Sequence, residues 1–74
     1  MTVKNVKTTK DIIIKTDDDS TYEIEICTFL GTTIFRDSIR PLKKHIKIKG
    51  LNCGKYIIYI ANNTNLFKQQ IVIS

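Results

Sequence analysis

Two alternating stretches joined by a glycine-bracketed turn constrain this chain more than any other feature. From His45 to Lys49, Ile46 and Ile48 share one parity and the basic residues the other; Gly50 and Gly54 then bracket Leu51-Asn52-Cys53. The following stretch, Lys55 to Ala61, is apolar at both parities: Tyr56, Ile58 and Ile60 alternate with Ile57, Tyr59 and Ala61. A period of two sends successive side chains to opposite faces of a pleated strand. The reading is therefore strand, turn, strand. Ile46, Ile48 and Leu51 face inward, and the second strand is central and covered on both sides.

The rest of the chain has to complete a sheet structure around this hairpin. With 74 residues it forms one domain, and a domain of that size hides only about 60% of the surface of its unfolded chain, so the core must be dense. The 42% hydrophobic content supplies it, mainly as isoleucine. Val, Ile, Thr, Tyr and Phe crowd the same segments, and these branched and aromatic types suit a half-buried strand better than a helix.

Residues 1–10, where Val3, Val6 and Thr8 alternate weakly, read as an edge strand or a flexible lead-in, with a single β-sandwich domain over 11–74. Asp11 to Thr16 is a short strand, stopped by Asp17-Asp18-Asp19-Ser20, whose side chains bond local backbone and favour a turn. From Thr21 to Phe29 alternation places Tyr22, Ile24 and Ile26 toward the core. Glu23, Glu25 and Cys27 take the other face, where the two glutamates suit cross-strand ion pairs. Leu30-Gly31-Thr32 turns into a strand over Thr33 to Ile39, with Ile34 and Phe35 on opposite faces. Arg40-Pro41 interrupts that strand, because proline lacks the ladder N–H, and marks a crossing from one sheet to the other. Asn62 to Asn65 is a polar turn, and Leu66 to Ser74 closes a hairpin with the preceding strand, Phe67, Gln69, Ile71 and Ile73 on one face. The polypeptide ends inside this strand, so its last residues read as structural. Six to seven antiparallel strands at this spacing predict an all-β sandwich with Greek-key connections, with a small closed barrel as the competing architecture.

The residues offer little chemistry. A net charge of +5 permits a polyanionic partner, but the lysines alternate along strands as solvated faces do, with one concentration at Arg40, Lys43, Lys44, Lys47 and Lys49. Nucleic acid is not expected as a partner, since the few aromatics fall mostly at core-facing positions instead of forming a stacking platform. His45, the sole histidine, lies in register with the solvent side and has no orienting partner or nucleophile in sequence. Three aspartates in a row lack the ligand spacing of a calcium loop. Cys27 and Cys53, with His45, fall short of a zinc site; the two cysteines read either as a bridge or as two separate thiols. Asn62-Asn63-Thr64 matches the N-glycosylation pattern, a short one that arises often by chance. No metal, no cofactor and no enzymatic activity is expected. There is no apolar run long enough for a transmembrane segment. Met1 to Lys7 is polar and basic without a leader-type apolar region, which leaves an intracellular chain or one separated from its leader or upstream cargo.

Three stretches then carry a resemblance: Tyr22 to Ile34, Ile46 to Ile60 with Gly50-Leu51-Asn52-Cys53-Gly54-Lys55-Tyr56 at its centre, and Phe67-Lys68-Gln69-Gln70-Ile71-Val72-Ile73. In order, over about 11–74, they resemble the C-terminal sorting domain of the type IX secretion system, and more distantly other small secreted immunoglobulin-like sandwich proteins. The resemblance implies an immunoglobulin-like β-sandwich at the end of an exported protein, a non-enzymatic module for secretion, sorting and surface attachment. Its implied partner is the outer-membrane secretion machinery and its implied location secreted or cell-surface. The implied recognition residues are Gly54, Tyr56, Lys68, Gln70, Ile71, Val72 and Ile73, within a signal that runs from Lys68 to Ser74. The family's opening proline-asparagine-proline signature is replaced here by Val6-Lys7-Thr8-Thr9-Lys10. That departure keeps an alternative open, a stand-alone secreted or cell-surface adhesion or ligand-binding domain.

Overall fold

A computed structural model describes residues 2–6 and 11–73. The expected alternation at Thr8, the Lys7 to Lys10 stretch and the terminal Ser74 lie outside the described residues. Seven strands follow in order: β1 (Thr2–Val6), β2 (Asp11–Lys15), β3 (Tyr22–Thr28), β4 (Thr33–Ile39), β5 (His45–Ile48), β6 (Gly54–Ala61) and β7 (Leu66–Ile73).

They form two antiparallel sheets, one of three strands in the order β1-β2-β5 and one of four in the order β4-β3-β6-β7. The chain changes sheet three times, after β2, β4 and β5, so that the pairs β2/β5 and β3/β6 each join strands distant in sequence. This is the Greek-key sandwich that the strand spacing predicts. Pro41 stands at the second crossing. There Lys43 and Lys44 donate their backbone N–H groups to the Arg40 carbonyl at 3.0 and 3.2 Å, and Lys44 adopts a φ of 56°. The buried Thr16 donates its N–H to the Lys44 carbonyl at 2.8 Å, which ties the crossing to the end of β2.

The core is an isoleucine interior. Ile12 and Ile14 from β2 and Ile46 and Ile48 from β5 meet Tyr22, Ile24 and Ile26 from β3, Tyr56, Ile58 and Ile60 from β6, and Ile71 and Ile73 from β7. Register fixes these faces. Ile14 lies opposite Ile46, Ile24 opposite Ile60, and Tyr56 opposite Ile71. Each fully buried isoleucine contributes about 1.5–3 kcal/mol relative to exposure, and the chain needs many of them because ordering its backbone costs a comparable amount.

Local chemistry at the turns agrees with the sequence. Asp18 accepts a hydrogen bond from the Ser20 N–H at 3.0 Å and another from the Tyr22 hydroxyl at 2.7 Å, so the acidic turn is anchored to a core residue. The Gly31 N–H bonds the Thr28 carbonyl at 2.9 Å with Gly31 at φ 97°, a conformation that glycine adopts without the Cβ clash other residues meet. Of the two glutamates, Glu25 forms the expected cross-strand ion pair, with Arg36 at 3.0 Å, while Glu23 accepts from the Ser38 hydroxyl at 2.7 Å. A bulge between Ile26 and Cys27 shifts the β3/β4 register. Phe35 faces Ile26 across the strands, while Ile34 remains 43% exposed.

One expectation is corrected. Apolar residues at both parities of β6 predict cover on both faces, but the shortest extent is 15 Å, room for two sheets about 10 Å apart and no third layer among the described residues. Ile57, Tyr59 and Ala61 are only half-buried. The strand is central within its sheet, with the core on one side only.

Candidate functional site

Cross-strand register turns β6 and β7 into a two-faced ribbon. Gly54 pairs with Ile73, Tyr56 with Ile71, Ile58 with Gln69 and Ile60 with Phe67 on the side toward the other sheet. On the opposite side Lys55 pairs with Val72, Ile57 with Gln70, Tyr59 with Lys68, and Ala61 with Leu66. The residues singled out from the sequence therefore divide. Ile71 and Ile73 are buried at 6% and 2% exposure, whereas Val72 between them is 52% exposed.

Gly54 and Tyr56 build the turn that enters this ribbon. Gly54 has a φ of 151°, and Tyr56, itself buried, donates its hydroxyl to the Asn52 carbonyl at 2.7 Å. That bond spans the glycine-bracketed loop and fixes its depth against the core. Between the two residues, Lys55 projects to solvent, its Nζ 5.5 Å from the centre of the Phe29 ring. Lys68 does the same over Tyr59 at 5.7 Å. Ammonium groups at these distances are attracted by the negative face of the ring, by about 0.5–1 kcal/mol at exposed sites.

The exposed face thus joins Lys68, Gln70 and Val72 of β7 to Ile57 and Tyr59 of β6, with Phe29 and the 67%-exposed Leu66 at its ends. It is an apolar strip crossed by two lysines. Aromatic and aliphatic groups ringed by polar ones are the composition of protein contact surfaces, whose central aromatic anchors carry most of the binding energy. Ile57, Tyr59, Leu66, Phe29 and Lys55 were not singled out from the sequence. For Ile57 and Tyr59 the signal lies in the apolar residues at both parities of Lys55 to Ala61, a pattern that fits a buried strand equally well.

Farther along the same sheet, the Cys27 thiol donates to Glu25 Oε2 at 3.4 Å, the Thr33 hydroxyl donates to the same oxygen at 3.2 Å, and Arg36 flanks the other oxygen. These contacts, the Cys27 bond foremost, hold the Glu25 carboxyl below its ordinary range. Cys27 is buried under them and Cys53 is exposed in the Gly50–Gly54 turn, and the two are not bridged. Among the described residues no three of His, Cys, Asp and Glu converge as metal ligands. An open polar hollow of about 580 Å³ lies between the β2–β3 and β6–β7 loops, lined by Asp19, Ser20, Glu23, Asn62 and Thr64. There the Asn62 side chain is engaged by its own turn, accepting from the N–H groups of Thr64 and Asn65 at 3.0 and 2.7 Å. No helix among the described residues is long and apolar enough to cross a membrane.

Compared with known proteins, residues 4–74 match the family model described as "Secretion system C-terminal sorting domain". No curated protein matches the chain.

Proposed function

The chain belongs to the secretion system C-terminal sorting domain family, and from that premise we propose that it is a non-enzymatic sorting module of the type IX system whose exposed β6/β7 face is what the outer-membrane machinery reads. Its cargo reaches the cell surface or the medium. The observation that supports this reading is the division within β7. Ile71 and Ile73 anchor the strand in the core, and the same anchoring holds Lys68, Gln70 and Val72 in a fixed row beside Ile57 and Tyr59.

Within the recognition set, the seven residues then have two tasks. Gly54, Tyr56, Ile71 and Ile73 position the face by shaping the turn and seating the strand. Lys68, Gln70 and Val72 make the contact, assisted by Lys55 from the turn. A partner that meets this face removes its apolar strip from water, and the two lysines orient it through their charge, which steers encounter more than it adds affinity.

Removing Lys68 to Ser74 is a poor test by itself. It withdraws Ile71 and Ile73 from the core and leaves β6 unpaired on one side, so lost export and lost folding coincide. The better test fuses residues 1–74 to the C-terminus of a periplasmic reporter in a host with type IX secretion and replaces Lys68, Gln70 and Val72 together by threonine, which suits strands. The unmodified fusion is exported, and the triple variant accumulates in the periplasm with its sorting domain still protease-resistant. Undiminished export of the folded triple variant refutes the assignment of the face. Retention of both folded fusions refutes the sorting role and turns attention to a surface ligand.

A further inference from the structure

The outer face of the three-stranded sheet gathers charge that the linear sequence scatters. In the β1/β2/β5 register, Lys4, Ile13 and Lys47 form one cross-strand row, and Thr2, Lys15 and His45 form the next. All four basic side chains are exposed, and Lys49 extends the set one residue beyond β5. Lys47 reaches the buried Asp11 carboxylate at 3.4 Å, whereas Lys4, Lys15 and Lys49 have no acidic partner within salt-bridge distance among the described residues. The outer face of the opposite sheet carries Arg36, Lys55 and Lys68 but offsets them with Glu23 and Glu25, the latter paired with Arg36 at 3.0 Å, whereas Asp11 is the one acid in the three-stranded rows. Positive charge is therefore concentrated on one side of the sandwich.

We infer that this face rests on an anionic lipid surface. Three features select that occupant. Neighbouring strands lie about 4.8 Å apart, so the lysines of the Lys4–Ile13–Lys47 row leave the backbone about 10 Å apart, a spacing at which each flexible side chain reaches its own headgroup phosphate. The cations are lysines without arginine, mobile point charges that suit a fluid array of phosphates better than a bidentate site does. Finally, half-buried Ile13 and Val6 sit among them, and apolar side chains ringed by lysine fit the boundary between headgroups and acyl chains. No Phe, Tyr or Trp stands in these rows, and the lone imidazole of His45 does not make a stacking platform for successive bases. This surface lies on the sheet opposite the proposed recognition face, so it leaves that face open while the domain is on the membrane.

The test is co-sedimentation of the full chain with vesicles of phosphatidylcholine alone and of equimolar phosphatidylcholine and phosphatidylglycerol. Binding is expected to the anionic vesicles only and to fall steeply with added salt. Lys4→Gln and Lys15→Gln each weaken it about fivefold and together about 25-fold, the effect of a lysine near such a surface. Arg36→Gln, an equal charge change on the other sheet, weakens it less than about twofold by the same distance dependence. Circular dichroism verifies that all four variants are folded. Equal binding to both vesicle types, or an Arg36→Gln loss as large as that of Lys15→Gln, overturns the inference. So does tighter binding, at the same salt, to a polynucleotide or an acidic polysaccharide than to the anionic vesicles.

Discussion

Substituting successive residues of β7 distinguishes a two-faced strand from a loosely attached tail. Ile71 is 6% exposed and faces Tyr56, while its neighbour Val72 is 52% exposed and faces Lys55 on the other side. Ile71→Ala removes about three carbon atoms from the core at about 0.8 kcal/mol each, or about 2.4 kcal/mol. Incomplete collapse of the resulting cavity brings the cost to about 2–5 kcal/mol. A chain of 74 residues has a total stability of about 4–11 kcal/mol, so this one change takes a large part of it. The melting temperature should drop by about 8–40 °C, at about 4–8 °C per kcal/mol for a domain of this size. Val72→Ala removes fewer atoms, half of them already wet, and should cost less than about 1 kcal/mol, mostly strand preference. Urea titration followed by far-ultraviolet circular dichroism reads both variants. With a denaturant slope of about 1 kcal/mol/M, Ile71→Ala shifts the midpoint by about 2 M or more and Val72→Ala by less than about 1 M, with unchanged slopes. Equal shifts, or a larger one for Val72→Ala, would mean that β7 does not hold this register, and the division between anchoring and contact residues would fail with it.

Acid should act partly through the β2–β3 turn. The Tyr22 hydroxyl, followed by the Ser20 backbone, holds the Asp18 carboxyl below its ordinary 3.8, so its contribution to stability is complete above that value and is lost as pH falls through the lower folded one. Asp18→Asn should therefore flatten the decline of the urea midpoint below about pH 4, and an unchanged acid profile would count against the bond. At the entry to β6, Gly54→Ala meets no steric obstacle, its nearest neighbour being Tyr56 Cε2 at 4.0 Å, but retains the unfavourable φ of 151°. The expected cost is about 1–2 kcal/mol from backbone strain alone, read from the urea midpoint, and a stabilised variant would contradict the described turn.

Much of the fold was legible because period-two alternation is a local property. Ile46/Ile48, Tyr22/Ile24/Ile26 and Ile71/Ile73 declare their face within a few residues, and Pro41 and Gly31 mark where a strand cannot continue. The site was legible only as a set of positions. Gly54, Tyr56 and the residues of β7 come from a family resemblance, which does not say which of them are exposed and which hold the strand in place. That division required knowing which side of β7 meets the other sheet.

The sequence by itself determined an all-β chain, the approximate strands and the inward parity of most of them, since a one-residue slip would exchange a strand's buried and solvent faces. Tertiary structure alone decided what lies beyond each face. Apolar residues at both parities of Lys55 to Ala61 fit a strand between two layers as well as one with a sticky outer side, and only the two-sheet arrangement shows that, among the described residues, no layer covers Ile57 and Tyr59. Likewise, Lys4, Lys15 and Lys47 are far apart along the chain and become neighbours only through the pairing of β1, β2 and β5. Alternation specifies the direction of a side chain relative to its own strand, whereas its neighbours depend on long-range pairing that no local pattern encodes.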